Sequence, residues 1–268
     1  MNNPSLPVWA GRLGRLYWVG FTTFVIRSYE DIVRYFFMTI APSVVTTWLY
    51  FVVFGMLIGS RVGSVGGVPY REYIAPGIIA MPVITSSFSH ASLSFLAAKL
   101  HRLIDEHLIS PLPSWMIVVS YVAGGVLRGA LVGVSVGVVV VPFADAPVGH
   151  LVAMIGALLL TSLVASLAGF LNGVYARTFD QASLVPSFVL TPLTYLGGVF
   201  YSVSLLPPWA RVVSRANPIF YAVNLFRYGM LGVADVRAGT AVSVLLVGAV
   251  AMFGVASRLI GRGKGIRE

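Results

Sequence analysis

Cysteine is absent from the 268 residues. That excludes disulfides, thiolate metal sites and a cysteine nucleophile. Histidine is scarce: His90, His101, His107 and His150 are the four, and none has the spacing of a zinc-binding HExxH helix. Charge is scarce as well. Charged residues make up 10% of the chain, against roughly 25% in a soluble domain. There is no GxxxxGK[ST] phosphate loop and no GxSxG elbow; the "GRGKG" at 261–265 follows an apolar run rather than a strand. The chain therefore cannot hydrolyse ATP by the phosphate-loop route. Adjacent acids occur only at Glu30-Asp31 and Asp105-Glu106, both on expected interfacial helices where solvated charge is the ordinary explanation.

What the chain does have is apolar surface. Hydrophobic residues make up 57% of it, and the mean hydropathy is +0.89. Such a chain cannot cover its own exterior with polar groups, so its solvent is lipid. Six runs are long enough to cross a bilayer, at about 35–59, 74–98, 115–141, 150–176, 183–201 and 239–260. They divide the chain into an N-terminal segment 1–34, a membrane domain 35–260 and a basic tail 261–268. None of the runs holds Asp or Glu. Ion-coupled carriers often place such groups at mid-membrane, so their lack counts against that class. Residues 1–34 do not read as a cleavable signal, because Arg27 and Glu30-Asp31 stand where a small-residue cleavage site would be.

The excess of basic residues orients the spans. With the N-terminus in the cytoplasm, eleven Lys and Arg fall on the inside and six on the outside, and Arg128 lies within a span. Both termini are then cytoplasmic. The net charge of +9 reflects this retention rather than a nucleic-acid partner.

Two segments outside the spans are amphipathic. In 12–34, Arg12, Arg15, Thr23, Arg27, Glu30 and Arg34 share one face, with Leu13, Tyr17, Phe21, Phe24 and Ile32 opposite. This predicts a helix lying in the cytoplasmic interface, either an anchor or a lever moved by a partner. In "KLHRLIDEHLISPLPSW" at 99–115, Leu100, Leu103, Ile104 and Leu108 form an apolar stripe beside His101, Arg102, Asp105 and Glu106. Pro111 and Pro113 close that helix before Trp115.

Small residues recur four apart in two runs. Gly125, Gly129, Gly133 and Gly137 share a face of the third, and Ala165, Gly169 and Gly173 a face of the fourth. Close packing between helices is the expectation. Arg128 sits beside the first stripe and needs a partner, for which Asn172 and Asp180 are candidates.

The stretch 191–229 is apolar yet broken by Gly197-Gly198 and Pro207-Pro208. Asn217 and Pro218 read as the cap and first residue of a helix too short to span a membrane. Irregular backbone at that depth survives only under cover of protein or against a cavity. A re-entrant helical pair sealing the outer mouth of a pathway is the expectation.

These elements together make the family recognisable. "SLVPSFVLTPLTYLGGVFYSVSLLPPW", "NPIFYAVNLFRYGMLG", "YIAPGIIAMPVI" (73–84), "FLAAKLHRLIDEHLISPLPSW" (95–115), "YVAGGVLRG" (121–129) and "LAGFLNGVYARTFD" (167–180) resemble the permease subunit of ABC-2 type exporters. The resemblance runs from about residue 15 to the end. It implies an all-α membrane protein of six transmembrane helices, working as a dimer in the bacterial inner membrane. A separate cytosolic ATPase subunit, in two copies, would carry ATP and Mg, and this chain no cofactor. The segment 99–110 would be the coupling helix, with His101, Arg102, Leu103, Ile104, Asp105, Glu106 and Leu108 against the ATPase. The segment near 16–33, with Tyr17, Phe21, Phe24, Arg27 and Glu30, would be the connecting helix. Spans one, two and five would flank the path, and 203–232 would be the re-entrant helices. Candidate pathway and outer-gate residues are Trp48, Phe51, Tyr195, Gly197, Gly198, Phe200, Phe220 and Arg227. Hydrophobic or amphipathic cargo, such as a drug, a lipid or a lipid-linked glycan, suits such a lining. The rival readings are an ATP-independent carrier or channel, and a membrane enzyme using His101 or His107; neither has a motif.

Overall fold

A computed structural model describes residues 36–101, 113–146 and 148–263 of the chain. The connecting-helix segment and all of the coupling segment after His101 lie outside the described residues.

The described chain is almost wholly helical. Helix α1 (Phe36–Tyr50) runs without a break into a π-helical stretch, Phe51–Ile58, and a last α-turn, α2 (Gly59–Val62). A small antiparallel ribbon follows, absent from the sequence expectation: β1 (Ser64–Val65) pairs with β2 (Val68–Pro69). Its two-residue turn is Gly66-Gly67, both at positive φ, the backbone a tight primed turn requires. The end of the bundle carrying this ribbon is called the hairpin end below. Long helices α3 (Tyr70–Leu100), α4 (Ser114–Ala144) and α5 (Leu151–Tyr175) then cross back and forth. Next comes a composite helix: α6 (Phe179–Val185), a π-turn (Pro186–Leu190) and α7 (Thr191–Leu196). Short helices α8 (Pro208–Ala216) and α9 (Pro218–Leu231) precede α10 (Ala238–Gly261).

Among the described residues, five helical paths are long and apolar enough to span a membrane: Ile40–Val62, Tyr70–Leu100, Ser114–Ala144, Leu151–Tyr175 and Ala238–Gly261. They coincide with five of the six expected runs. The sixth run is helical over 179–196 rather than 183–201. Its prolines do not interrupt it. The π-turn supplies the wider ring, in which the Thr191 amide bonds the Pro186 carbonyl and the Thr191 hydroxyl donates to the same oxygen at 2.9 Å. A composite helix of this kind is where membrane proteins tolerate proline.

Helix α3 is the centre of the bundle. Its most apolar window is 61% buried, against 17–33% for the other four spans. The reason is the row of small residues facing it. A methyl group on Gly169 would collide with the backbone carbonyl of Phe88, and one on Gly173 would lie 2.6 Å from the carbonyl of Ser92. On α4, Gly125 and Gly129 face Ser166, Ser87 and Ser162, and Gly133 faces Leu158 and Val83. Backbones of α3, α4 and α5 therefore approach closely, the packing expected of small residues in lipid. Gly137 meets nothing within 4 Å, so the stripe works at three of its four positions. Gly169→Val should lower the thermal stability of the purified chain by about 1–3 kcal/mol, the usual cost of overpacking. Gly137→Val should change it little. Comparison of the two melting curves checks the assignment, and equal curves would contradict it.

The two ends of the bundle are closed differently. At the hairpin end, Arg71 pairs with Asp145 at 2.7 Å, and Gly149 and His150 amides bond to Met230 and Gly229 carbonyls at 2.9 and 2.8 Å. At the opposite end, Lys99 Nζ donates to the carbonyls of Val174 and Ala176 at 3.0 and 3.2 Å. That ammonium caps the orphan carbonyls at the C-terminus of α5.

Arg128 does not meet Asn172 or Asp180. Its guanidinium lies 3.3 Å from Nδ1 of His90 on α3. Asn172 is taken up instead by Ser92 Oγ and the Ala182 carbonyl, both at 2.9 Å. Arg128 lies about 21 Å along α4 from Ser114, well away from Asp180 beside the start of α6.

Candidate functional site: a buried arginine latch at the hairpin end

The composite helix ends at Gly197-Gly198, and Gly198 has φ of 77°. The left-handed backbone there turns the chain back on itself. The turn lies hard against α3, because a methyl on Gly77 would sit 2.8 Å from the Val199 carbonyl. Tyr70 fastens it further, its hydroxyl donating to the Phe200 carbonyl at 3.0 Å. After the turn, α8 carries exposed Trp209, Val212 and Val213 and ends at Asn217.

Asn217 does two things. Its side-chain oxygen accepts from the Ile219 amide at 3.0 Å, capping α9 with Pro218 at the first position. Its Nδ2 donates to the Leu193 carbonyl at 2.5 Å, tying α9 to α7. This is the cap the sequence predicted. Helix α9 ends at Gly232 in the left-handed region, φ 70°.

Arg227 is the one charged residue of α9, and it is 1% exposed. One terminal nitrogen donates to the Gly198 carbonyl at 2.7 Å, and the other meets Asp235 Oδ2 at 3.3 Å. The guanidinium carbon stands 4.1 Å from the centroid of the Tyr73 ring on α3. Asp235 is held in turn by Ser202 Oγ at 2.7 Å, by the Val203 amide at 3.4 Å, and through its own amide by Asn224 Oδ1 at 2.8 Å. One arginine therefore joins the Gly198 turn, the loop after α9 and the first turns of α3. A buried charge is tolerable only with this density of partners.

Beside the latch runs a line of aromatic rings. Phe54 lies 4.4 Å from Phe200 and 6.2 Å from Tyr50, centroid to centroid, and Tyr195 lies 6.0 Å from Phe200. Tyr50 and Tyr195 are side-chain neighbours. The line joins the π-helical stretch after α1 to the end of the composite helix.

Of the sequence candidates, the structure gathers Gly197, Gly198, Phe200, Phe220 and Arg227 at the hairpin end, with Tyr195 at their edge. Phe220 is 1% exposed and packs near Gly198. Trp48 stands apart on α1, partly exposed, and Phe51 is fully buried against Gly55. His101 lies exposed just after α3. Arg102, Leu103, Ile104, Asp105, Glu106 and Leu108 fall outside the described residues, as do Tyr17, Phe21, Phe24, Arg27 and Glu30. Sequence reasoning missed Tyr50, Phe54, Tyr73, Asn224 and Asp235. Spacing could have found Phe54, four after Tyr50 on a helix. The lone charge of α9 required an acid, and Asp235 is the nearest one along the chain.

Among the described residues no group of His, Asp or Glu could hold a metal ion. The groups gathered here hold one another.

A bundle of helices of this length and apolarity is built to cross a membrane. Residues 20–231 match the model of the ABC-2 type transporter family, and the chain belongs to that family. It is 46% identical over 253 residues to the inner membrane transport permease YadH of Escherichia coli (strain K12), covering 94% of this chain and 99% of that protein. It is also similar to nodulation protein J of Neorhizobium galegae, 26% identical over 69% of this chain and 71% of that one. To nodulation protein J of Rhizobium meliloti (strain 1021) it is 25% identical, over 80% and 82%.

Proposed function

We propose that this chain is the membrane-spanning subunit of an ATP-driven exporter in the inner membrane, working as a homodimer with two copies of a separate cytosolic ATPase. The observation that carries this reading is membership of a transporter family in a chain without any phosphate loop. The power source then resides in another polypeptide, which binds ATP and Mg. Cargo is hydrophobic or amphipathic, in keeping with the aromatic line from Tyr50 to Tyr195.

The composite helix 179–196 acts as the sixth crossing. Its 18 residues extend about 27 Å, close to a hydrocarbon core of about 30 Å. It begins beside Asn172, which bonds the Ala182 carbonyl, and ends at the hairpin end. Helices α8 and α9 are the re-entrant pair. Pro218, Ile219 and Ala222 line a small cavity with Ile84 and Ala165, deep in the bundle, whereas Gly229 at the other end of α9 bonds His150 at the hairpin end. In this reading the chain goes in with α8 and returns with α9. The hairpin end faces outward and both termini are cytoplasmic, which follows the distribution of basic residues.

Transport then consists of differential affinity for cargo between inward- and outward-open states. The ATPases close on ATP, the coupling segment moves, and the latch at Arg227 parts. The test is retrieval of the tagged chain from its native membranes. An ATPase subunit should come with it in stoichiometric amount; a chain recovered alone, under conditions that preserve the dimer, would contradict the reading.

A further inference from the structure

Helix α3 is covered over most of its circumference, and the stripe left open is polar. Thr85, Ser86, Ser89 and His90 are only partly buried, and the stripe runs on through Leu93 to exposed Leu100, at the end opposite the hairpin. The uncovered faces of α4, α5 and α10 are aliphatic, with Val134 and Val138, Ile155 and Leu159, and Val247 and Val250 respectively. Those faces suit lipid. Polar side chains at membrane depth face protein or a water-filled cavity instead.

Arg128 brings a charge to this stripe. It stands midway along the 31 residues of α4 and is partly exposed. One terminal nitrogen, Nη1, lies 3.3 Å from His90 Nδ1. Arginine only donates, so Nδ1 accepts, and the imidazole supplies no negative charge. Nε is buried without a partner. Nη2 differs from both: among the described residues it has no hydrogen-bond partner, and it is not enclosed. Among the described residues no carboxylate pairs with Arg128 either; Asp145 and Asp235 pair with Arg71 and Arg227. Arg227 is thus enclosed and neutralised, whereas Arg128 is open and unbalanced.

We infer that Arg128, through Nη2, binds the head of an amphiphile that ends in an oxyanion such as phosphate, in a vestibule lined by the polar stripe of α3. A guanidinium is the side chain best matched to an oxyanion. Ser86 and Ser89 stand on the same stripe as further hydroxyl donors, and Leu93 adds apolar surface beside them. The inference rests on the transport reading and narrows its cargo, because a neutral or cationic head leaves the charge of Arg128 unanswered.

The chain has no cysteine, so Leu93→Cys can carry the sole environment-sensitive fluorophore, one turn from His90. The full-length labelled protein in dodecyl maltoside is titrated with decyl phosphate, decyltrimethylammonium and inorganic phosphate. Decyl phosphate should bind about tenfold more tightly than either of the others. Arg128→Gln should lose that preference and Arg128→Lys should keep part of it. Ser86→Glu leaves Arg128 in place but sets a carboxylate one turn from His90, and should weaken decyl phosphate binding about tenfold. Equal affinity for decyl phosphate and decyltrimethylammonium, or wild-type affinity in both Arg128→Gln and Ser86→Glu, would overturn the site. Inorganic phosphate binding as tightly as decyl phosphate would overturn its assignment to an amphiphile. Loss of the dimer in Arg128→Gln with decyl phosphate affinity unchanged would give the stripe to the second copy instead. The titration needs no ATPase, so selective binding by a chain that retrieves no ATPase would uphold the site and contradict only ATP-driven export.

Discussion

On the proposed function, deleting residues 100–108 should abolish co-purification of the ATPase subunit, and Ile104→Asp should uncouple ATP hydrolysis from cargo movement while leaving the permease folded. The expectation rests on the amphipathic stripe of Leu100, Leu103, Ile104 and Leu108. An aspartate at Ile104 places a charge on the apolar side of the contact, where burying it without a partner costs several kcal/mol. The structure adds a reason why this contact should reach the gate. The segment leads directly out of α3, the central helix, which is about 46 Å long. At one end α3 is fixed to α5 through Lys99. At the other, its Gly77 abuts the Val199 backbone and its Tyr73 ring lies under Arg227. On the proposed function, a push at residue 101 would be delivered to the latch through this one packed element. Retained ATPase binding by the deletion variant would refute the docking role, and normal transport by Ile104→Asp would refute the coupling role.

Arg227→Met should be the most destabilising single change at the hairpin end. It leaves the Gly198 carbonyl and the Asp235 carboxylate without their cationic donor. Breaking a buried pair from one side costs roughly 3–5 kcal/mol, and in a chain of this size that corresponds to a fall in Tm of about 6–20 °C. Arg227→Lys should recover only part of the loss, because an ammonium cannot reach the Gly198 carbonyl and Asp235 with the geometry of a planar fork. Asp235→Asn combined with Arg227→Met should be less damaging than the two losses added, since each removes the other's unpaired charge. Thermal unfolding of the wild type, the three single variants including Asp235→Asn, and the double variant in the same detergent measures this. An unchanged Tm in Arg227→Met would mean that the latch holds nothing.

Much of the fold was legible because lipid imposes its own rules. Long apolar runs mark the spans at α3, α4, α5 and α10 to within a few residues. The Asn217-Pro218 pair announces the start of α9, and small residues four apart announce the close approach of α4 and α5 to α3. These are local signals. The features that escaped are those in which distant residues meet. Arg128 needed a partner, and Asn172 was a polar candidate, but helical phase turns Asn172 toward Ser92 and brings His90 to Arg128. The π-turn at Pro186–Leu190 is invisible to a reading that treats proline as a breaker, because the wider hydrogen-bonded ring around Pro186 depends on the Thr191 hydroxyl as well as on the backbone. The hairpin is two residues per strand, too short for an alternating pattern. At the site, Gly198 and Arg227 were singled out separately, one for its backbone and one for its charge. Their joining by a hydrogen bond, with Tyr73 beneath and Asp235 beside, is set by packing between α3 and α9.

The central claim is that this chain supplies a gate and no power. Vesicles containing the purified permease alone, with ATP and Mg inside and out, measure it most directly when compared with vesicles that also hold the ATPase subunit. Uphill movement of cargo should occur only in the second set and should stop when ATP is withdrawn. Accumulation against a gradient by the permease alone would contradict the account.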